Sequence, residues 1–254
     1  MITTKRVAKA AGKHVSRALL ALRAALGAAP AFDCPACGAP VVGFFRYGDC
    51  ADWGCPRCGA SPRERLMNYL IDSGRLPLNG GVILHMAPNE GTLVRRFRES
   101  ASEYVPADLD PSRYTVAGAT RVDLMELADI DRFDIFYASH VMEHVPDDAA
   151  VLSNIFRALK PGGEAWLIVP LWEKATEDGS YAMPPRERER RFGQWDHVRQ
   201  YGMDFADRIA AAGFIVETIA AADLDPANRA RHALGDILFR ARKPGAPLAE
   251  GIAQ

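Results

Sequence analysis

Five cysteines fall within a short stretch of this 254-residue chain, and four of them form two Cys-x-x-Cys pairs: Cys34 with Cys37, and Cys55 with Cys58. Glycine follows each pair, at Gly38 and Gly59. Two thiolates on each of two tight turns, 17 residues apart, is the spacing of a tetrahedral four-cysteine zinc site. The glycines let the backbone turn sharply, so that amide N–H groups approach the sulfurs. Four thiolates fill the coordination of zinc, which makes the expected Zn2+ structural and leaves no position for water or substrate. Val41 to Tyr47, between the pairs, reads as a strand, so a zinc ribbon is the expected local fold. A disulfide framework would accompany a secretory leader, and none is visible; a redox motif would use a single pair. Cys50 is left over and reads as a small buried residue.

A second set of reactive side chains lies at the ends of apolar runs. Asp108 closes the run Glu103 to Asp108, Asp123 follows Val122, and Ser139 and His140 close Phe133 to Ser139. His140 and His144 stand four apart, on one face of any helix that starts there. Such residues need a scaffold that brings strand ends together. Gly81 to Ala87, Glu103 to Asp108, Phe133 to Ser139, Glu164 to Pro170, Phe214 to Ile219 and Gly235 to Ala241 read as strands. Helices are expected over 92–100, 147–159 and 204–212, and Lys160-Pro161-Gly162-Gly163 reads as a break between elements. This alternation implies a mostly parallel, doubly wound sheet covered on both faces, with ligands bound at the carboxyl ends of its strands. There Asp108, 21 residues beyond Ala87, is placed to accept hydrogen bonds from a ribose diol, and Asp123 from an adenine amino group.

From Phe133-Asp134 through Ser139-His140-Val141-Met142-Glu143-His144-Val145-Pro146 to Leu159-Lys160-Pro161-Gly162-Gly163, the chain resembles the class I S-adenosylmethionine-dependent methyltransferases. The resemblance covers about residues 80–241. It implies a Rossmann-like seven-stranded sheet and S-adenosylmethionine as cofactor. Asp108 and Leu109 would then meet the ribose, Asp123 and Leu124 the adenine, and Ala138 to His140, with Ser139 between them, the methionine end. The family's glycine-rich first loop is here His85-Met86-Ala87-Pro88-Asn89-Glu90-Gly91. Only Gly91 keeps the pattern, so contacts from Ala87, Pro88, Glu90 and Gly91 are expected through a turn of different chemistry.

Residues 171–202 form an insert that packs Gln194, Asp196, His197, Arg199 and Tyr201 into eight positions. We read it as a lid over the acceptor, with His197 and His140 as candidate bases, Arg199 and Tyr201 as acceptor contacts, and His144 as a brace. An alternative has two histidines and Glu143 holding a divalent metal. Arg186 to Arg191 reads as a solvated face. The organisation expected is a basic amphipathic helix (1–31), a zinc ribbon with linker helix (32–75), a methyltransferase domain (76–243) and a flexible tail (244–254).

Composition narrows the partners. Apolar residues make up 48% and charged residues 25% of the chain, which excludes wholesale disorder. No uncharged apolar run reaches the roughly 18 residues of a membrane span, and a cytoplasmic location is expected. Residues 1–75 carry a net charge of +6 against −7 for the rest. The helix stripe Val7, Ala11, Val15, Leu19, Leu22 and Leu26, flanked by Lys5, Lys9, Lys13 and Arg23, suits either the protein's own body or an anionic membrane surface or RNA touching residues 5–26. The function expected is O-methylation of a small hydroxyl-bearing acceptor such as a sugar or glycan precursor. The alternatives are ribosomal or transfer RNA methylation and a zinc-ribbon adaptor without catalysis.

Overall fold

The structure, a computed structural model, describes residues 4–245, with side chains from residue 11 onward. The expected roles of Lys5, Val7 and Lys9, and of tail residues 246–254, lie outside the described residues. The chain divides into two compact units. Of the described residues, one comprises 4–78, 90–96 and 220–237; the other comprises 79–89, 97–219 and 238–245.

The first unit opens with α1 (Thr4–Ala25) and two small hairpins, β1 (Phe32–Cys34) with β2 (Ala39–Val41) and β3 (Phe45–Tyr47) with β4 (Cys50–Gly54). The expected single strand from 41 to 47 is therefore broken at Val42–Phe44, and each half pairs with a different partner. That break lets each cysteine pair sit on its own hairpin. Cys50 is exposed on β4, not buried as expected. The apolar stripe of α1 is not its packed face. Leu20 packs against Val42 and Phe45, Lys13 and Arg17 lie over the Phe45 ring, and Ser16 Oγ accepts from the Arg46 amide at 3.0 Å. Val15, Leu19, Leu22 and Leu26 stay exposed.

Helix α2 (Pro62–Asp72) starts on a capping box: Ser61 Oγ accepts from the Glu64 amide, and Pro62 presets the first helical turn. On it, Arg65 is fully buried with its guanidinium 3.9 Å from the Phe44 ring centroid. Its N–H groups donate to the carbonyls of Ala60 (2.8 Å), Asp52 (2.7 Å) and Ala233 (2.7 Å). One side chain thus ties α2, β4 and the end of the chain's last described helix, α7 (Pro226–His232), together.

The second unit is built on a seven-stranded sheet. Its strands in chain order are β5 (Val82–Met86), β6 (Glu103–Asp108), β7 (Thr120–Arg121), β8 (Phe133–Ser139), β9 (Leu159–Ile168), β12 (Ile215–Ala220) and β13 (Ile237–Arg242). The order across the sheet is β12-β13-β9-β8-β5-β6-β7; β5 to β9 run parallel to one another, and β13 runs antiparallel to β9. The remaining α-helices of the described residues are α3 (Gly91–Ser100), α4 (Asp148–Ala158), α5 (Pro185–Phe192), α6 (Phe205–Ala211) and α7. A pair of two-residue strands, β10 (Glu177–Asp178) and β11 (Arg199–Gln200), lies in the insert. β5 and β8 read as near-continuous apolar runs because side chains on both faces of these central strands are buried. Phe97, Phe133, Phe136, Tyr137, Trp166 and Phe239 fill the core with almost no exposure, each contributing about 1.5–3 kcal/mol of burial.

Lys160 to Gly163 does not end an element as expected: β9 runs through it. Between Phe133 and Ile135 of β8 the partner position on β9 jumps from Leu159 to Glu164, so the four residues form a bulge. A Cβ on Gly163 would come within 2.9 Å of the Lys160 carbonyl and 3.1 Å of the Asp134 carbonyl, which is why only glycine fits. Lys160 Nζ then reaches Asp134 Oδ2 at 2.7 Å. Among the described residues no helix is long and apolar enough to cross a membrane.

Candidate functional site

In the first unit the four expected zinc ligands converge. Cys34 Sγ lies 3.8 Å from Cys58 Sγ and Cys37 Sγ lies 3.9 Å from Cys55 Sγ, with all four sulfurs within 4.8 Å of one another. Sulfurs at the corners of a tetrahedron with bonds of about 2.3 Å are separated by about 3.8 Å, so the residues fit the ion. The turns are those the glycines permit: Gly38 donates to the Cys34 carbonyl at 2.8 Å and Gly59 to the Cys55 carbonyl at 2.9 Å, both at positive φ. Hydrogen bonds from Cys34 and Cys58 push the Cys55 thiol down, whereas the same contacts with Cys55 and Cys58 push Cys34 up. Also in this unit, Glu90 is buried against Arg63 at 3.7 Å. Gly91 opens α3 with open space where a Cβ would stand.

In the second unit the register decides what meets. Met86 of β5 pairs with Ala107 of β6 and with Ala138 of β8. One residue further on, Ala87, Asp108 and Ser139 therefore stand side by side at the carboxyl ends of three adjacent strands, about 4.8 Å apart. Ala87 and His140 both adopt the left-handed backbone region, at φ 51° and 57°, which is rare for residues with a Cβ. Pro88 is buried beyond Ala87, whose amide donates to the Ala107 carbonyl at 2.8 Å. Asp108 is already oriented: Oδ1 accepts from the Asp110 amide at 2.8 Å and Oδ2 from the Tyr114 hydroxyl at 3.0 Å. A carboxylate offers about four acceptor sites, so about two remain for hydroxyls. The Val122 amide donates to the Asp108 carbonyl at 3.0 Å, which sets Asp123 beside Asp108. Asp123 caps a 3-10 turn through Oδ1 at 2.9 Å from the Met125 amide. Leu109 and Met125 are exposed beside these carboxylates, and Leu124 is buried beneath.

His85, at the position of the family's acidic residue, is not at the rim. It is buried in β5, 2.9 Å from the Tyr104 hydroxyl and edge-on to Phe97 and Tyr137. A separate shallow cleft lined by Leu84, Glu103, Tyr104, Thr120, Leu127 and Arg132 lies along β6 and β7 and contains none of the strand-end residues.

Beyond Ser139, whose buried Oγ has no hydrogen-bond partner, the chain gathers a carboxylate and three imidazoles. Glu143 is fully buried with neither oxygen hydrogen-bonded. His140 Nδ1 lies 3.4 Å from its Oε1, and His197 Nε2 lies 3.9 Å from the same oxygen. The rings of His144 and His197 meet edge to face at 4.8 Å. Burial alone would raise the Glu143 carboxyl, but the His140 and His144 imidazoles outweigh it and hold it below the ordinary range. Burial pushes the His197 imidazole down, with Glu143 opposing.

Arg199 and Tyr201 correct the sequence expectation. Both are turned inward, at 3% and 0% exposure. Arg199 donates to the carbonyls of Val145 (2.6 Å), Met142 (3.0 Å) and Pro146 (3.0 Å) and to Asp178 Oδ1 (3.0 Å). Tyr201 donates to Asp148 Oδ2 at 2.9 Å, and burial pushes its phenol up. Buried and bonded in this way, these two residues fasten the insert to the loop that carries Glu143 and His144. Arg188 likewise leaves the expected solvated face: it is buried and donates to the carbonyls of Trp195, Tyr181 and Met183. Asp148 and the buried side of Arg188 were not singled out from the sequence, and Glu143 only in the alternative metal set, since residue type alone does not show which way a side chain turns.

Asp178, which pairs with Arg208 at 2.6 Å as well as with Arg199, gives this clamp a pH dependence. Burial would raise its carboxyl, but Arg208 and Arg199 hold it below its ordinary value. A carboxyl lowered on folding contributes stability above its unfolded pKa, near 4, and loses it as pH falls through the folded value. We expect Asp178→Asn to be less stable than the parent by at most about 1 kcal/mol near neutrality, given its exposure. Thermal melts should show the two curves converging at pH values below about 3.

A mostly parallel seven-stranded sheet with polar residues gathered at its carboxyl edge defines a class I methyltransferase fold. Residues 63–232 match a family described as a methyltransferase domain, and the chain belongs to that family. The solved structure of the [4+2]-cyclase SpnF is similar at 17% identity, covering 96% of this chain and 97% of that one, with a TM-score of 0.54. An S-adenosylmethionine-dependent methyltransferase from Mesorhizobium loti aligns at 20% identity over 67% of this chain and 95% of its own, with a TM-score of 0.49. A 1,6-didemethyltoxoflavin N1-methyltransferase from Burkholderia thailandensis aligns at 18% identity over 69% and 75%, with a TM-score of 0.45. No curated protein sequence matches the chain.

Proposed function

We propose that this methyltransferase uses S-adenosylmethionine to methylate an oxygen of a small hydroxyl-bearing acceptor, such as a sugar or glycan precursor, and that its four-cysteine ribbon holds a structural Zn2+. The observation that carries the reading is the pairing of Glu143 with His140 one residue beyond Ser139 at the strand edge. S-adenosylmethionine, when bound, supplies a sulfonium methyl that is already activated. The chain's part is to align an acceptor oxygen with that methyl and to take its proton. Asp108 would hold the ribose hydroxyls, Asp123 the adenine, and the exposed Leu109 would cover an apolar face. Ala87, Pro88 and Ser139 lie where the methionine end would pass.

His140 suits the proton. With Nδ1–H directed at the Glu143 carboxylate, its Nε2 carries the lone pair, and that atom is buried without a partner. The 3.4 Å separation is long for a hydrogen bond, a distance that commonly shortens when substrates close a site. The test is release of S-adenosylhomocysteine from the purified chain over a panel of sugars, glycan precursors and RNA fragments. We expect turnover on a hydroxyl-bearing small molecule, and His140→Gln to lower kcat about 10²- to 10⁴-fold with donor affinity unchanged. Turnover on RNA alone, or none with any acceptor, would overturn the reading in favour of an RNA enzyme or a non-catalytic adaptor.

A further inference from the structure

Two imidazoles of this unit carry out no step assigned above, and their protonation is fixed by what surrounds them. His197 Nδ1 lies 2.9 Å from the Phe192 carbonyl, and His144 Nδ1 lies 3.1 Å from the Asp196 carbonyl. A carbonyl oxygen only accepts, so each Nδ1 must bear the hydrogen, and in the neutral ring each Nε2 then carries a lone pair. The His197 Nε2 atom is buried without a hydrogen-bond partner. It faces Glu143, which is fully buried and whose two oxygens have no hydrogen-bonded donor. One candidate ligand atom from each of the three side chains lies within 4.8 Å of the others, and the acceptors of His197 and Glu143 are buried with no donor. Such a group is costly to bury unless a positive charge sits among its members.

We propose that Glu143, His144 and His197 form a binding site for one divalent transition-metal cation, distinct from the cysteine site of the ribbon. Two imidazole nitrogens and one carboxylate suit zinc, iron, cobalt or manganese; magnesium and calcium prefer all-oxygen surroundings. The carbonyls of Phe192 and Asp196 act as the outer partners that orient ligating histidines in metalloproteins. Glu143 Oε1 faces both His197 and His140, so the carboxylate links the cation site to the His140 ring. Three protein ligands leave coordination positions open. Because the site follows Ser139 and His140 in the chain, those positions would take oxygens of the acceptor, and this role rests on the methyl-transfer reading. Cation binding itself does not.

The full chain would be dialysed against Zn2+ and its metal content measured, with Co2+ substitution as a spectroscopic label. Wild type is expected to hold two ions per chain, and Glu143→Gln, His144→Asn and His197→Ala one each. In the cobalt protein these variants should lose the weak bands of a nitrogen–oxygen site and keep the intense sulfur charge-transfer bands of the cysteine site. Near-ultraviolet circular dichroism identifies any variant that fails to fold, and the remaining variants then decide. One ion per chain in wild type, or a second ion that persists in every folded variant, would overturn the proposal. Calorimetry with S-adenosylhomocysteine separates the two readings. Two ions without nucleoside binding would support the cation site and refute the methyl-transfer reading.

Discussion

Removing the ion from the ribbon is expected to unfold the helix–ribbon unit rather than loosen it. The apolar cluster around the cysteines is small: Cys34, Ala36, Val41, Phe44, Cys55 and Ala60. A core of that size does not offset the chain entropy of the two hairpins. A structural zinc in a comparable small domain contributes about 10–16 kcal/mol, more than the whole net stability of a typical domain. Arg65 sharpens the effect. Its buried cation is held by carbonyls of residues 52–60 and 233, and those carbonyls keep their places only while the knuckles do. Addition of a strong chelator should therefore abolish the near-ultraviolet signal of Trp53, which packs against Phe45 and Tyr47. Cys55→Ser should do the same with zinc present. An unchanged Trp53 environment after complete loss of zinc would refute the structural role.

Loss of the Asp108 carboxylate is expected to abolish useful donor binding while leaving the fold intact. Hydrogen bonds to a charged group contribute about 1.5–3 kcal/mol each, so two to a ribose diol correspond to roughly 10²- to 10⁴-fold in affinity. Asp108 is only half-buried, and its own contacts are local, to Asp110 and Tyr114. Asp108→Ala should accordingly raise the Kd for S-adenosylhomocysteine by at least about 100-fold in calorimetry, with little change in melting temperature. Asp110→Ala, which removes a carboxylate that caps its own turn at Ser112, should move Kd far less. Equal losses from both substitutions would mean that loop order, not ribose contact, was being measured.

Much of this arrangement was legible in the residues. The apolar runs ending at Ala87, Asp108 and Ser139 match β5, β6 and β8 to within a residue at their carboxyl ends, because buried parallel strands have few other compositions. The cysteine pairs were legible for a similar reason, since few other uses require two such knuckles. What could not be read was direction. The stripe on α1 has helical spacing, yet Leu20 packs inward and Lys13 and Arg17 set their cations over the Phe45 ring, because a ring face attracts positive charge. Arg199 and Tyr201 looked like acceptor contacts because they are polar and close in sequence to His197. They turn inward because the loop from Met142 to Pro146 exposes carbonyls that a guanidinium satisfies. The bulge at Lys160–Gly163 was hidden as well. Proline and glycine mark a break in most strands, and here the sheet accommodates one within β9.

The central claim is that a nucleoside donor binds across the carboxyl ends of β5, β6 and β8, and a crystal of the chain grown with S-adenosylhomocysteine tests it most directly. The account predicts both ribose hydroxyls on the Asp108 carboxylate, with the sulfur lying between Ser139 and the His140 ring. Density for the nucleoside elsewhere on the chain, or Asp108 making no contact with a bound ligand, would contradict it.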